Sequence, residues 1–334
     1  MSRGRTRHVV IGGSGFTGSV VTSLLDDRGA EVVIFDRVSP NRSRAAAFIE
    51  GDVRKPEDLK RIDFRDSDVV YHLAARQFGR NVPSRGRDSW FAEVNVAGTE
   101  NVLRSMCRAG TNRLVFFSTD MTYGVPSASP IPTSHPQRPL GPYGRSKVAA
   151  ESLIAAARKD GVQGTIFRPR LITGPGRLGI LRQLFGLIRL GLPVPLIGSG
   201  RNRYQMVGVE DCARAAIRAV ELGCPPRAFN LGSAAPPSAR ALLEAIIAHA
   251  GSRSMLVSTP AQIAKLVLSG LDRTGLTVLH PEQYLIADVD MLLDTTDTID
   301  VLGWRPERTD IDMMIAAYDH FVSGPSRELS QSAS

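Results

Sequence analysis

Tyr143 and Lys147 stand four residues apart in Tyr143-Gly-Arg-Ser-Lys147, and Ser118-Thr119-Asp120-Met121-Thr122-Tyr123-Gly124 precedes them. Residues four apart share one face of a helix, so the lysine ammonium can lie beside the phenol and lower its pKa toward neutrality. Such a phenol is a base. A hydroxyl from Thr119, at the end of a strand, can hold a substrate oxygen against it. Together the three side chains describe a proton-transfer site, and the rest of the chain must say what the proton transfer accompanies.

The N-terminus supplies that. His8-Val-Val-Ile11 reads as a buried parallel strand, followed by Gly12-Gly13-Ser14-Gly15-Phe16-Thr17-Gly18 and an apolar helix through Leu25. Glycines there let the backbone turn tightly and approach a pyrophosphate, whose charge the free amides and dipole of the following helix stabilise. The spacing is Gly-x-x-Gly-x-x-Gly rather than the commoner Gly-x-Gly-x-x-Gly. A second strand, Glu31 to Phe35, ends in Asp36, whose carboxylate can accept hydrogen bonds from an adenosine ribose. An unmodified ribose, and so NAD over NADP, is the expectation; Arg37 beside it is compatible with a 2′-phosphate.

These residues resemble the extended short-chain dehydrogenase/reductase family, which contains sugar-nucleotide epimerases, dehydratases and hydroxysteroid dehydrogenases. The likeness runs through most of the chain. Gly51-Asp52-Val53 resembles the family's third-strand end, Tyr71-His72-Leu73-Ala74-Ala75 the fourth-strand end, and Asn95-Val-Ala-Gly98-Thr99 a helix carrying a structural asparagine. Arg168-Pro169, Gly174-Pro175-Gly176, Gly198-Ser-Gly200, Val209-Glu210-Asp211, Asn230-Leu-Gly232 and Leu302-Gly303-Trp304 follow in order. The resemblance implies NAD held by Gly12, Gly15, Phe16, Thr17, Gly18, Asp36, Arg37, Asp52, Val53, Leu73, Ala74, Ala75, Asn95, Tyr143, Lys147 and Pro169. It also implies catalysis by Thr119, Tyr143 and Lys147, in which the phenol takes the proton of a secondary alcohol as its carbon gives up hydride. If the ketone turns over in the site and the hydride returns to its other face, the outcome is epimerisation; if the ketone leaves, it is dehydrogenation.

Three departures narrow this further. Family members that dehydrate a nucleotide sugar or decarboxylate a uronic acid carry a glutamate where this chain has Met121, and a thioether can neither abstract nor donate the proton an elimination needs. Leu171 stands where sugar-nucleotide enzymes usually have an asparagine for the substrate phosphate, and Tyr204 where they have an arginine for the diphosphate. Arg170, Arg201 and Arg203 are neighbours able to substitute, and Arg80 lies in a Gln77–Asp88 loop whose arginines, Arg80, Arg85 and Arg87, can clamp an anion. With Asp120 and Met121, these make the expected substrate side. The apolar segment Leu178 to Leu196 would instead suit a lipid-like or steroid-like alcohol, or be a core helix.

Strand-like runs at 8–11, 31–35, 68–73, 113–118 and 164–168 alternate with helical stretches at 17–27, 88–109 and 144–159. That pattern predicts an α/β fold, a doubly wound parallel sheet of Rossmann type with ligands at the carboxyl ends of the strands. A smaller, mostly C-terminal α/β substrate domain is expected to complete it. Residues 1–168, with returning segments about 204–231 and 285–289, are assigned to the NAD-binding domain. About 169–203, 233–284 and 290–322 go to the substrate domain, and the small polar tail 323–334 is expected to be disordered. Resemblance implies a homodimer built on the helices ending near Met106 and Ile154, with Leu103, Met106, Val148 and Leu153 either at that contact or facing the sheet.

With 334 residues the chain can bury a full core. Its net charge of +8 comes from scattered arginines with no basic helix or aromatic stacking motif, so nucleic acid is not expected as a partner. No apolar run reaches the ~18 residues of a membrane span, and Cys107, Cys212 and Cys224 are widely spaced with no paired pattern, so neither a disulfide framework nor a metal cluster is expected. A cytoplasmic location and a small-molecule substrate follow as expectations. The leading reading is an NAD-dependent epimerase acting at C4 of a nucleotide-diphosphate hexose or uronic acid. The alternative is a secondary-alcohol dehydrogenase or ketoreductase of the 3β-hydroxysteroid dehydrogenase type; a cofactor-binding protein without catalysis is opposed by the intact Thr119/Tyr143/Lys147 set.

Overall fold

The computed structural model describes residues 6–40, 46–79, 81–176, 178–179, 181–277 and 279–324. Its apolar runs become strands β1 (Arg7–Ile11), β2 (Glu31–Asp36), β3 (Ala47–Glu50), β4 (Val69–His72), β5 (Arg113–Phe117) and β6 (Gln163–Pro169). After the short β7 (Leu171–Thr173), β8 (Val194–Ile197) and β9 (Met206–Gly208) comes β10 (Ala228–Leu231). Seven of them form one parallel sheet in the order β3-β2-β1-β4-β5-β6-β10. The chain runs outward from β1 to β3, then resumes at β4 on the other side of β1. That reversal opens a crevice at the carboxyl ends of β1 and β4, the place where ligands bind in such sheets.

Helices cover both faces: α1 (Phe16–Asp27), α2 (Pro56–Lys60), α3 (Arg87–Ala92), α4 (Thr99–Arg108) and α5 (Pro142–Lys159), then α6 (Leu181–Arg189) and α7 (Val209–Glu221). Alternation along each strand divides the core in two. Val10, Tyr71, Val115 and Phe167 pack with Val21 and Leu25 of α1 and Ala213 and Ala216 of α7. Val9, Ile11, Val70 and Phe116 pack on the opposite face with Leu103 and Met106 of α4 and Ala150 and Ile154 of α5. This decides the orientation that the sequence left open. Leu103 and Met106, 7 % and 0 % exposed, face the sheet and are not available to a second subunit; Leu153 packs against the same cluster and Val148 is half-buried.

The helix expected over 88–109 is interrupted by a π-helical turn at Glu93–Gly98. Segment 204–231 supplies β9, α7 and β10, whereas 285–289 is a turn whose Ile286 packs with Tyr123 and Ile131. The remaining elements are α8 (Ala239–His249), β11 (Leu256–Thr259, paired with β8), α9 (Ala261–Arg273), α10 (Pro281–Tyr284), α11 (Thr296–Leu302) and α12 (Asp310–Ser323). Phe185 and Ile188 of α6 join Leu242, Ile246, Met313 and Tyr318 in a separate core, so the apolar 178–196 segment is largely committed to packing. Helix α12 reaches Ser323, and residues 325–334 of the expected tail lie outside the described residues.

A buried ion pair ties α5 to the sheet. Arg168 of β6 donates to Glu151 of α5 at 3.1 and 2.6 Å, and its other nitrogen donates to the Tyr123 hydroxyl and the Thr133 carbonyl. Tyr123 in turn donates to Asn230 of β10 at 2.7 Å. Both charged side chains are less than a tenth exposed. Removing one partner strands the other's charge away from water, so Glu151→Ala is expected to cost about 3–5 kcal/mol in urea unfolding; a loss below about 1 kcal/mol would show that the network does not hold the helix.

Candidate functional site

The glycine loop is shaped by close approaches. Gly12 sits at φ +85°, a left-handed conformation, and a Cβ on it would lie 2.5 Å from the Ala74 nitrogen at the end of β4. A Cβ on Gly18 would meet the Gly12 carbonyl at 2.1 Å, so α1 can start hard against the loop only without a side chain there. A Cβ on Gly15 would lie 3.2 Å from the same Gly12 carbonyl. Above the loop lies a cleft of about 310 Å³, lined by Gly12, Gly15, Phe16, Thr17 and Gly18, by Leu73 and Ala75 after β4, and by Lys147. Its remaining walls are Gln77, Phe117, Ser118 and Ile172. Sequence reasoning did not name these four as cofactor contacts; Ser118 stood beside Thr119 in the quoted motif, whereas Ile172 gave no signal.

At the end of β2 the Asp36 carboxylate accepts from the backbone amides of Ser14, Arg37 and Val38 at 3.0, 2.7 and 3.3 Å. The glycine loop therefore holds the group expected to receive a ribose. Asp52 is more constrained than expected, because Arg54 grips both its oxygens, at 3.0 and 2.6 Å, and Arg37 lies 3.8 Å away. Burial alone would raise the Asp52 pKa; the bonds and charge of Arg54 outweigh it and hold the carboxyl below its ordinary value. Val53 is buried against Gly98, and Pro169 closes β6.

Asn95, which the resemblance puts at the cofactor, sits on the turn between α3 and α4. Within the π-helical turn its amide accepts from the Arg76 nitrogen at 2.8 Å and donates to the Arg76 carbonyl and to Ser146. Ser146 donates to the Tyr143 carbonyl at 2.7 Å. The asparagine thus ties the loop after β4 to the first turn of α5, and its hydrogen bonds go to the protein.

Thr119 follows β5 and begins a 3₁₀ turn, with its hydroxyl accepting from the Met121 amide at 3.3 Å. Tyr143 and Lys147 lie on the first turns of α5, 6 % and 3 % exposed. The Tyr143 ring packs against Phe78 and Phe91, with centroids 4.9 and 5.5 Å away. Lys147 donates to the Phe117 carbonyl, the last of β5, at 2.7 Å, and its ammonium stands 4.5 Å over the Phe116 ring. Burial lowers its pKa to about 7, with the Glu151 charge opposing the shift. His72, wholly buried and bonded to Thr99, is pushed down to about 3 by burial and then by the Lys147 charge, so it stays neutral.

Of the described substrate-side residues, Arg170 and Asp120 meet, whereas Arg201 and Arg203 are exposed. Arg170 donates to Asp120 at 2.8 Å in a pair nearly free of solvent, and its guanidinium lies 5.2 Å over the Tyr204 ring. A guanidinium buried this deeply must keep its counter-ion. Met121 packs near Tyr123, Ile131 and Met291. Arg203 is exposed and forked onto Asp290, and Arg201 is exposed. Arg87, expected in an anion clamp, is bidentate to Asp272 of α9 at 2.8 and 3.0 Å. Arg85 is exposed, and Arg80 lies outside the described residues.

The glycine loop, the amide-held Asp36 and the buried Ser118 hydroxyl, which has no hydrogen-bond partner among the described residues, fit a dinucleotide in the cleft. Comparison with known proteins agrees. A family model described as "NAD dependent epimerase/dehydratase family" matches residues 8–232. The uncharacterised protein y4nG of Sinorhizobium fredii is 30 % identical over 315 residues, which cover 94 % of this chain and 78 % of that one. UDP-glucose 4-epimerase of Streptococcus mutans is 29 % identical, with 92 % and 94 % covered. The crystal structure of the Thermus thermophilus UDP-glucose 4-epimerase complexed with NAD superposes with a TM-score of 0.75 at 26 % identity, covering 96 % of this chain and 100 % of that one. No helix among the described residues is long and apolar enough to cross a membrane.

The lowered Lys147 pKa makes stability pH-dependent. Below about pH 7 the folded state carries a buried charge at full cost. Between about 7 and the ordinary 10.5 the unfolded chain keeps a proton that the folded one has released, so stability rises with pH. In cofactor-stripped protein, Lys147→Met is expected to be more stable than the parent by a margin that is largest below pH 7 and shrinks toward pH 9 in denaturant titrations. A margin independent of pH would contradict the burial of a titrating lysine.

Proposed function

Since this chain belongs to the NAD-dependent epimerase/dehydratase family, we propose that it is a sugar-nucleotide epimerase acting by transient oxidation at C4 of a nucleotide-diphosphate hexose or uronic acid. One observation carries the reading: Lys147, one helical turn after Tyr143, lines the same cleft as the glycine loop, and Thr119 stands beside the cleft residue Ser118. A proton-transfer site thus adjoins a dinucleotide site. The UDP-glucose 4-epimerase relative, matched over nearly its whole length, supports a nucleotide sugar as substrate.

Bound NAD supplies a hydride acceptor that can hand the hydride back. Tyr143 accepts the proton of the substrate hydroxyl, and Thr119 hydrogen-bonds the same oxygen and fixes its direction. While protonated, Lys147, one turn after Tyr143 on the same helical face, favours the phenolate. After the ketone turns, Tyr143 returns the proton to the oxygen. Met121 offers no acid or base for elimination, and the Asp120 carboxylate is the counter-ion of Arg170, so dehydration is disfavoured.

A second reading, net oxidation of a secondary alcohol of the hydroxysteroid type, is favoured by Leu171 and by Tyr204, whose ring is packed under Arg170. Denaturing the purified protein and measuring released cofactor separates the two: retained NAD and stabilisation by uridine-diphosphate hexoses are expected, while an empty site and no stabilisation would favour the dehydrogenase. Tyr143→Phe is expected to lower turnover by about 10²–10⁴ while NAD stays bound. Full activity in that variant would end the proposed chemistry.

A further inference from the structure

Helix α5 begins without a cap of its own. Its N-cap is Gly141, with no side chain to offer, and Pro142 in the first position has no N–H. The next two amides go to one carboxylate from far along the chain. Glu282 accepts from the Tyr143 nitrogen through Oε1 and from the Gly144 nitrogen through Oε2, each at 2.9 Å, across 139 and 138 residues. The residue is 2 % exposed; burial raises its pKa and the two amides oppose the shift. Charge and geometry agree, because a carboxylate meets the positive end of the helix dipole there.

The surroundings are built for this contact. A Cβ on Gly141 would lie 2.5 Å from Glu282 Oε1, and one on Gly144 would lie 2.6 Å from the Met121 carbonyl and 3.2 Å from Oε2. His280, just before α10, stacks on Phe78 with centroids 4.8 Å apart, and Phe78 packs edge-on against the Tyr143 ring at 4.9 Å. One short helix therefore holds the tyrosine backbone directly and its ring through Phe78. Further along, α5 is anchored by Lys147 and Glu151, so only its first turn depends on Glu282.

We propose that Glu282 is the positioning residue of Tyr143: its carboxylate fixes the first turn of α5 and thereby where the phenol stands relative to Thr119 and the cleft. The kinetic part of this rests on Tyr143 being the base. Glu282→Ala is expected to lower kcat on a uridine-diphosphate hexose about 10–100-fold, with KM and bound NAD unchanged. Glu282→Gln keeps one acceptor and is expected to recover part of the loss. A spectroscopic arm needs no substrate: in NAD-bound protein carrying ¹⁵N-tyrosine, the Tyr143 amide is the signal missing from Tyr143→Phe. In Glu282→Ala that amide should move upfield and exchange with solvent at least about 10-fold faster, the loss of a charge-assisted hydrogen bond. If the parent does not turn over uridine-diphosphate hexoses, the substrate reading fails while this arm still decides the role of Glu282. Should Glu282→Ala not fold, Gly141→Ala, whose methyl displaces the carboxylate, is read the same way. Parent-like kcat, or an unmoved Tyr143 amide, in the folded variant would overturn the proposal.

Discussion

One helical face carries the arrangement. Tyr143, Lys147 and Glu151 recur every four residues along α5, and the two charged members can be buried only if they find partners on the sheet. Lys147 finds the last carbonyl of β5 and Glu151 finds Arg168 of β6. The helix is therefore pinned across the carboxyl ends of two adjacent strands, and the third member of the row stands one turn before the cleft-lining Lys147. Misplacing α5 would leave a buried ammonium or a buried carboxylate unpaired, which costs more than most packing defects.

The crevice exists because β1 and β4 are neighbours while the chain between them goes the other way. Glycines at 12 and 18 then let loop, helix and the β4 end approach within distances no side chain permits. The π-helical turn adds a further tie: by placing Asn95 inward it joins the loop after β4 to Ser146 and so to α5. Glycine loop, β4 end and α5 are fixed against each other by the protein's own contacts, which is the preorganisation that the proposed hydride and proton transfer requires.

Much of this was legible in the sequence, for reasons that are local. Buried parallel strands read as continuous apolar runs, the glycine loop has a fixed spacing, and Asp36 falls where β2 ends. What was not legible depends on partners chosen across the fold. Nothing near Arg170 predicts that Asp120 will neutralise it, nothing near Arg87 predicts Asp272, and Glu282 lies 139 residues from the amide it caps. Leu103 and Met106 were ambiguous because an apolar stripe marks a covered face without saying whether sheet or subunit covers it. The substrate side stayed obscure in sequence for the same reason: arginines clustered along the chain are separated by burial once folded.

The proposed epimerisation requires that hydride leave a sugar carbon and return to it within one site. The most direct test follows a uridine-diphosphate hexose carrying deuterium at C4 through turnover by the purified enzyme. The epimerised sugar is expected to keep its deuterium at C4, with no reduced cofactor accumulating. Deuterium lost to a pool of reduced cofactor, or washed into water, would contradict the proposed epimerisation.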